Sequence, residues 1–283
     1  MNIAIIGSNG LLGSAMRSYI HDLNVNTLLL THKNFEITNK ENYTIFKKNN
    51  IDVIINTAAY LGVEPCESNP MQAFEINTKA VGDLARYCRE EDITLVQIST
   101  DGVFDGLSGD YTEDSNPMPI NLYGITKYNA EQLVKNLCNK YYIFRIPILF
   151  GKRENNGSIF IEKMHQLYLN GNKNLKIADD AINRPSYSID ISKKIVDIIL
   201  EKNNYGIYHI FNGGEKASLY DFAVEFFKAM KITDINISQA KTNDFAKNEL
   251  GIKPLNTTLS TIKISPLRNW QTALHEFCTH INS

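Results

Sequence analysis

The sequence predicts an α/β fold: a doubly wound parallel sheet followed by a smaller C-terminal lobe. Three observations carry this expectation. Short β-branched runs alternate with amphipathic segments of helix length through the first half of the 283-residue chain. The runs are continuously apolar rather than alternating, as strands buried on both faces are. Beyond roughly residue 150 the rhythm gives way to turn-rich segments.

Taken in order, "NIAIIG", "VNTLLLT", "IDVIINTAA", "ITLVQIST" and "YYIFRIPILFG" read as strands. Between them, "LLGSAMRSYIHDL", "NPMQAFEINTKAVGDLARYCREE" and "INLYGITKYNAEQLVKNLCNK" read as helices. Asn69-Pro70 and Asn116-Pro117-Met118-Pro119 are the start signals of the last two. In the second half, "ENNGSIF" and "NGNKN" read as turns, and "DDAINRPSYSIDISKKIVDIILEK" as a loop running into a helix. "GIYHIFNGG" is a further strand, and "SLYDFAVEFFKAM" a helix with Ser218 and Asp221 set as a capping box. "KPLNTTLSTIKI" is extended and "NWQTALHEFCTHI" a last helix. The expected division is a nucleotide-binding domain over 1–150 and a substrate-binding lobe over 151–283. Segments at about 186–215 are expected to return to the sheet.

Composition narrows the function. The chain is 43% apolar and 21% charged with a net charge of −2, which leaves no electrostatic footprint for nucleic acid. Cys66, Cys88, Cys138 and Cys278 are scattered, a pattern of free thiols in a reducing compartment. No signal peptide or membrane span is read, so a cytoplasmic location is expected. Oligomeric state is not legible, and a homodimer stays open.

"NIAIIGSNGLLGSAM" is a strand, a G-x-x-G-x-x-G loop and a helix, one version of the Rossmann-type dinucleotide turn. Gly7 permits the tight turn, Gly10 lets the backbone approach a pyrophosphate, and Gly13 lets helix and strand pack closely. The phosphates sit on free N–H groups at the helix start. The expected cofactor contacts of this turn are Gly7, Asn9, Gly10, Leu11, Leu12 and Gly13. The second strand ends in Thr31-His32-Lys33, with no carboxylate until Glu36 to hold the ribose hydroxyls. Lys33 is placed to pair with a 2′-phosphate, which favours NADPH. The alternative is a surface lysine in a βα loop, which leaves NAD open.

"NLYGITKYNAEQL" puts Tyr123 and Lys127 four apart, on one face of a helix. "ISTDGVF" closes a strand and places Ser99, Thr100 and Asp101 at its C-terminal edge, where doubly wound sheets bind ligands. Hydroxyl, phenol and ammonium then converge on one carbonyl oxygen. Reduction of a ketone builds negative charge on that oxygen and needs a proton donor. A free tyrosine titrates near ~10, and a neighbouring ammonium is expected to bring it down. Lys127 is also expected to bond the nicotinamide ribose, and Thr100 to hold the carbonyl.

At these residues the chain resembles the extended short-chain dehydrogenase/reductase family, and within it the dTDP-4-dehydrorhamnose reductases. "IAIIGSNGLLGSAM", "IDVIINTAAYLGVEPCESNPMQAFEINTKA", "ISTDGVFDGLSGDYTEDSNPMPINLYGITKYNAEQL", "FRIPILFG", "DDAINRPSYSID", "GIYHI" and "KPLNTTLSTIKI" carry the likeness along nearly the whole length. The resemblance implies an NAD(P)H-dependent reductase of a nucleotide-activated 4-keto-6-deoxy sugar, serving surface-polysaccharide biosynthesis. It gives Thr100, Tyr123 and Lys127 the catalytic roles. It sets Ala58, Ala59, Asn77, Ser99 and Pro147 against the cofactor together with Tyr123 and Lys127, and Asp101, Val103 and Phe104 beside the sugar. Two alternatives remain within the same likeness: a cofactor-binding regulatory subunit without turnover, and an epimerase or dehydratase.

The chain departs from the family's pattern near the expected sugar pocket. Gly102 stands where a tyrosine is usual, "RIPILFG" replaces "RTSWVYG", and Arg184 stands where a small residue is usual. Arg184 reads either as a contact to a diphosphate or polar sugar group or as a structural ion pair. "HEFCTH" is not a zinc helix, since His275 and His280 are five apart, and no metal site is expected. Tyr60, Tyr111 and Trp270 read as packing residues; Glu64, Cys66 and Glu67 read as loop residues, with a position facing the site as the alternative.

Overall fold

A computed structural model describes residues 1–23, 25–152, 160–245 and 250–282. Most of the turn expected at "ENNGSIF" lies outside them. Five strands, β1 (Asn2–Ile6), β2 (Asn26–Leu30), β3 (Val53–Asn56), β4 (Thr94–Thr100) and β5 (Tyr141–Ile146), are joined at one edge by β6 (Gly206–His209). The order is β6-β5-β4-β3-β1-β2 and every pairing is parallel.

Alternation along these strands feeds two cores. Ile3, Ile5, Val53, Ile55, Val96 and Phe144 point to one face, where α1 (Leu11–His21) and α5 (Ser188–Leu200) cover them. Ala4, Ile6, Ile54, Leu95 and Ile143 point to the other, under α2 (Ala80–Glu90) and α3 (Leu122–Leu137). That second face changes character along its length. Towards the C-terminal ends of the strands the same parity is taken by Asn56, Gln97, Ser99, Arg145 and His209, all buried. An apolar floor thus becomes polar beneath the middle of α3.

The C-terminal lobe is built on aromatic packing instead. Phe150, Phe222, Phe226, Phe227, Trp270 and Phe277 gather where α4 (Phe160–Leu169), α6 (Leu219–Ala229) and α7 (Trp270–Asn282) meet short paired strands. The capping box forms as expected: Ser218 Oγ accepts from the Asp221 N–H, and the Asp221 carboxylate from the Ser218 N–H. Trp270 is buried, with its indole N–H donating to Glu215 O at 2.9 Å. Among the described residues no helix is long and apolar enough to cross a membrane.

Three elements differ from the sequence reading. "YYIFRIPILFG" is not one strand: β5 stops at Ile146, and Leu149–Phe150 pairs with Ser186–Tyr187 in the lobe. Pro147 has no N–H to continue the ladder. Helix α3 starts at Leu122 with Asn121 as its cap, not at Asn116–Pro119, because Pro119 keeps Met118 out of helical geometry. The helix expected from Pro70 runs in three pieces: Pro70–Phe74, a wide π turn at Glu75–Lys79, and α2.

Candidate active site

The glycine turn sits at the end of β1, where the chain crosses to β2 on one side and to β3 on the other. That is the switch point at which such sheets open a crevice. The N–H groups of Gly7 and Ser8 donate to Leu30 O at 2.9 and 3.0 Å, fixing the turn to β2. Gly7 has φ +80°, and a Cβ there would meet Thr57 Oγ1 at 2.7 Å. A Cβ on Gly13 would lie 2.3 Å from Gly7 O, so only glycine lets α1 pack this close to the turn. No side chain caps α1, and its first turn holds no acidic residue. Its first N–H groups are left for an anion.

These features fit a dinucleotide pyrophosphate. Asn9 and Gly10 are half-buried on the turn, whereas the Leu11 and Leu12 side chains are buried, Leu12 in the core. Leu11 and Leu12 therefore present backbone only. Ala58 and Ala59 follow β3 and are half-buried; the Ala58 N–H lies beside Gly7 and donates to Asn56 Oδ1. Lys33 is exposed beyond the end of β2, and Pro147 is buried past the end of β5.

Thr100 ends β4. Its hydroxyl donates to Asp101 Oδ1 at 3.0 Å and accepts from the Gly102 N–H at 3.0 Å. Asp101 is buried, and its other oxygen accepts from Thr257 Oγ1 at 2.6 Å. Asn183 Nδ2 in turn donates to that Thr257 hydroxyl at 3.1 Å, so the strand tip is tied to two segments of the lobe. Burial pushes the Asp101 carboxyl above its ordinary value, against the pull of its donors.

Tyr123 and Lys127 reach this point from α3. Gly124 makes the approach possible, because a Cβ there would lie 2.2 Å from Gly102 O. Asn121 Oδ1 accepts from the Gly124 N–H, and Glu67 Oε1 from the Leu122 N–H, so two side chains hold the start of the helix. A Cβ added to Gly102 would sit 3.4 Å from Thr100 Oγ1 and 3.9 Å from Tyr123 Cδ1. The absent side chain at Gly102 therefore lies between the two. Lys127 is buried, and its ammonium donates to Ile98 O at 2.6 Å, two residues before Thr100. The three groups meet at the C-terminal end of β4.

Their electrostatics correct one expectation. Lys127 was expected to lower the phenol of Tyr123, yet that phenol is held above its ordinary value. Burial is the main cause and the Asp101 charge adds to it, while contact with the Thr100 hydroxyl works the other way. Burial brings Lys127 down to about 8, opposed by the negative charge of Glu131.

Several residues stand elsewhere than expected. Val103 and Phe104 are completely buried and cannot line a sugar pocket as they stand. Phe104 stacks on Tyr111 at 4.2 Å and lies under the Arg145 guanidinium at 5.1 Å. Asn77 spends its amide on structure: Oδ1 accepts from the Tyr60 N–H, and Nδ2 donates to Tyr60 O and Thr126 Oγ1. The π turn aims it there. Ser99 gives its hydroxyl to Glu131 Oε1 at 2.5 Å. Arg184 donates to Leu259 O at 2.5 Å, lies over the Phe211 ring and faces Asp110 at 3.5 Å. This is the ion-pair reading of Arg184, with Asp110 shared by Lys216. Its Nε is buried without a hydrogen-bond partner among the described residues.

Sequence reasoning missed Thr257 and Asn183, which act across the lobe, and a buried cluster beneath Lys127. In that cluster Arg145 pairs bidentately with Glu131, at 2.9 and 2.7 Å, and reaches His209 Nε2 at 3.3 Å. The signal was present: Arg145 holds an inward-facing position in an otherwise apolar strand. Cys66 follows the site-facing alternative: it is buried on the short helix Val63–Ser68, close enough to act electrostatically on Tyr123 and Lys127.

Sheet order and the glycine turn fit an oxidoreductase of the extended short-chain dehydrogenase/reductase class, and the relatives bear this out. The chain belongs to the RmlD substrate binding domain family, whose model matches residues 1–283. It is 32% identical to a dTDP-4-dehydrorhamnose reductase of Aggregatibacter actinomycetemcomitans over 290 residues, 96% of each chain. A crystal structure of a dTDP-4-dehydrorhamnose reductase from Clostridium acetobutylicum superposes with a TM-score of 0.92, at 31% identity and full coverage of both chains. The Bacillus anthracis dTDP-4-dehydrorhamnose reductase in complex with NADP superposes with a TM-score of 0.91. It is 29% identical and covers 100% of this chain and 99% of its own.

Proposed function

We propose that the protein is an NADPH-dependent reductase of a nucleotide-activated 4-keto-6-deoxy sugar, with Tyr123 as the proton donor. The observation that carries this is the meeting of Thr100, Tyr123 and Lys127 at the tip of β4, in a chain related along its full length to dTDP-4-dehydrorhamnose reductases. NADP in the Bacillus anthracis relative supports NADPH, as does Lys33 at a strand end without a nearby carboxylate.

The glycine turn and the uncapped start of α1 would hold the pyrophosphate, Lys33 the 2′-phosphate, and Lys127 the nicotinamide ribose. When bound there, NADPH supplies the hydride that reduces the keto carbon. The remaining work falls to the side chains. As the carbonyl becomes an alkoxide, the oxygen takes the phenolic proton of Tyr123, and the phenolate is later reprotonated from solvent. A phenol held above its ordinary value is fully protonated at neutral pH, as a donor in the reductive direction must be. Thr100 holds the carbonyl once its hydroxyl turns from Asp101 to the substrate. Lys127, charged and buried, steadies the negative charge left on Tyr123.

A panel of 4-keto-6-deoxy sugars linked to dTDP and to UDP, each with NADPH and with NADH, tests the reading at the nicotinamide absorbance. Stoichiometric NADPH oxidation with a dTDP-4-keto sugar is expected. Turnover without net NADPH loss would instead mark an epimerase or dehydratase, and no turnover with any sugar a binding subunit.

A further inference from the structure

Beneath Lys127 lies a charge cluster that the proposed chemistry does not use. Glu131 follows Lys127 by one helical turn on α3, so both side chains project from one face towards the sheet. Neither is exposed to water: Glu131 is 0% and Lys127 4% accessible. The Glu131 carboxylate is fully occupied from below. Oε1 accepts from Ser99 Oγ on β4 and from Arg145 Nε on β5, and Oε2 from Arg145 NH2 at 2.7 Å. Arg145 is itself backed by His209 on β6, whose Nδ1–H donates to the carbonyls of Ser260 and Tyr111. That leaves Nε2 free to accept from the guanidinium. The Glu113 carboxylate accepts the His209 backbone N–H and closes the cluster.

Such a cluster costs desolvation energy, and a buried ion pair is often no more stable than apolar residues in its place. Its location suggests what it is retained for. A buried ammonium held by a single backbone carbonyl has too few partners to remain charged. Besides Ile98 O, the groups acting on Lys127 are Glu131 on its own helix and Cys66 from the helix Val63–Ser68, with Tyr123 one turn before it. Burial raises the Cys66 thiol to about 11, so it is neutral at pH 7. Glu131 is the one carboxylate of this group.

We propose that Glu131 is a positioning residue that keeps Lys127 in its ammonium form, and that Ser99 and Arg145 hold the carboxylate rigidly enough to do so. The inference rests on the proposed role of Lys127, but its direct test does not require turnover. The ε-carbon of 13C-labelled lysines in the cofactor-free protein is titrated by NMR, the Lys127 signal being the one missing from Lys127→Met. In Glu131→Gln the Lys127 midpoint is expected to fall by about one pH unit or more from its value near 8. In Ser99→Ala, which keeps the ion pair but removes one of the donors that hold the carboxylate in place, the midpoint is expected to fall by a smaller amount.

Unchanged midpoints in the folded variants would overturn the proposal. If Glu131→Gln does not fold, Ser99→Ala decides alone, and a midpoint that stays or rises there is the contrary result. The alkaline limb of kcat/KM should follow the NMR midpoint, which loss of packing alone would not produce. If Lys127→Met keeps full turnover while the midpoints move as stated, the reductase reading fails and the positioning inference stands.

Discussion

Two layers of buried polar groups lie one helical turn apart under α3, and they are built to opposite rules. In the lower layer every group is satisfied: Glu131 takes three donors, Arg145 makes a fork to it, and His209 has a partner on each nitrogen. In the upper layer Lys127 is buried and Tyr123 half-buried, both are underpartnered, and each is displaced from its ordinary protonation equilibrium. A saturated network fixes geometry and changes little with pH. An underpartnered pair stores an unfavourable interaction that a substrate oxygen can relieve. The difference separates scaffold from site, and it teaches that burial of charge alone identifies neither.

The sharpest way to break the comparison is to unpair the lower layer. Arg145→Met leaves the Glu131 carboxylate buried with Ser99 alone. It should cost about 3–5 kcal/mol of stability, read by urea unfolding. A loss under about 1 kcal/mol would mean that Glu131 simply takes a proton and the layer is no more saturated than the upper one. The second test removes the charge from the upper layer. Between about pH 8 and the ordinary lysine value of 10.5, the unfolded chain still binds a proton at Lys127 that the folded chain has released. Stability therefore rises with pH through this window on account of Lys127. Measured as wild type minus Lys127→Met, which cancels the tyrosines and thiols that titrate nearby, the rise should be on the order of 3 kcal/mol. A flat difference curve would show that Lys127 is not strained.

Much of this architecture was legible in the sequence. β-Branched runs announce parallel strands because both faces are buried, and the Gly7–Gly13 spacing announces the crevice because only glycine tolerates its close contacts. Tyr123 and Lys127 were legible as one helix face. Their environment was not, since it depends on contacts far apart in sequence: Asp101 is held by Thr257, 156 residues on. For the same reason Val103 and Phe104 were misplaced, as the stacking partner Tyr111 and the neighbouring Phe211 and Leu259 close over them only in three dimensions. The break at Pro147 was hidden because apolar residues continue on both sides, serving the sheet before it and the lobe after it. Arg145 was readable as an inward charge, but its partner Glu131 lies on the helix laid over it, which strand periodicity alone does not reveal.

The most direct measurement is single-turnover reduction of a dTDP-4-keto-6-deoxy sugar by saturating NADPH, with wild type and Tyr123→Phe compared at pH 7. The phenol is the proposed proton source, so the variant should bind NADPH as wild type does and reduce the sugar roughly 10²–10⁴-fold more slowly. Equal rates in the two proteins would contradict the assignment of Tyr123 as proton donor.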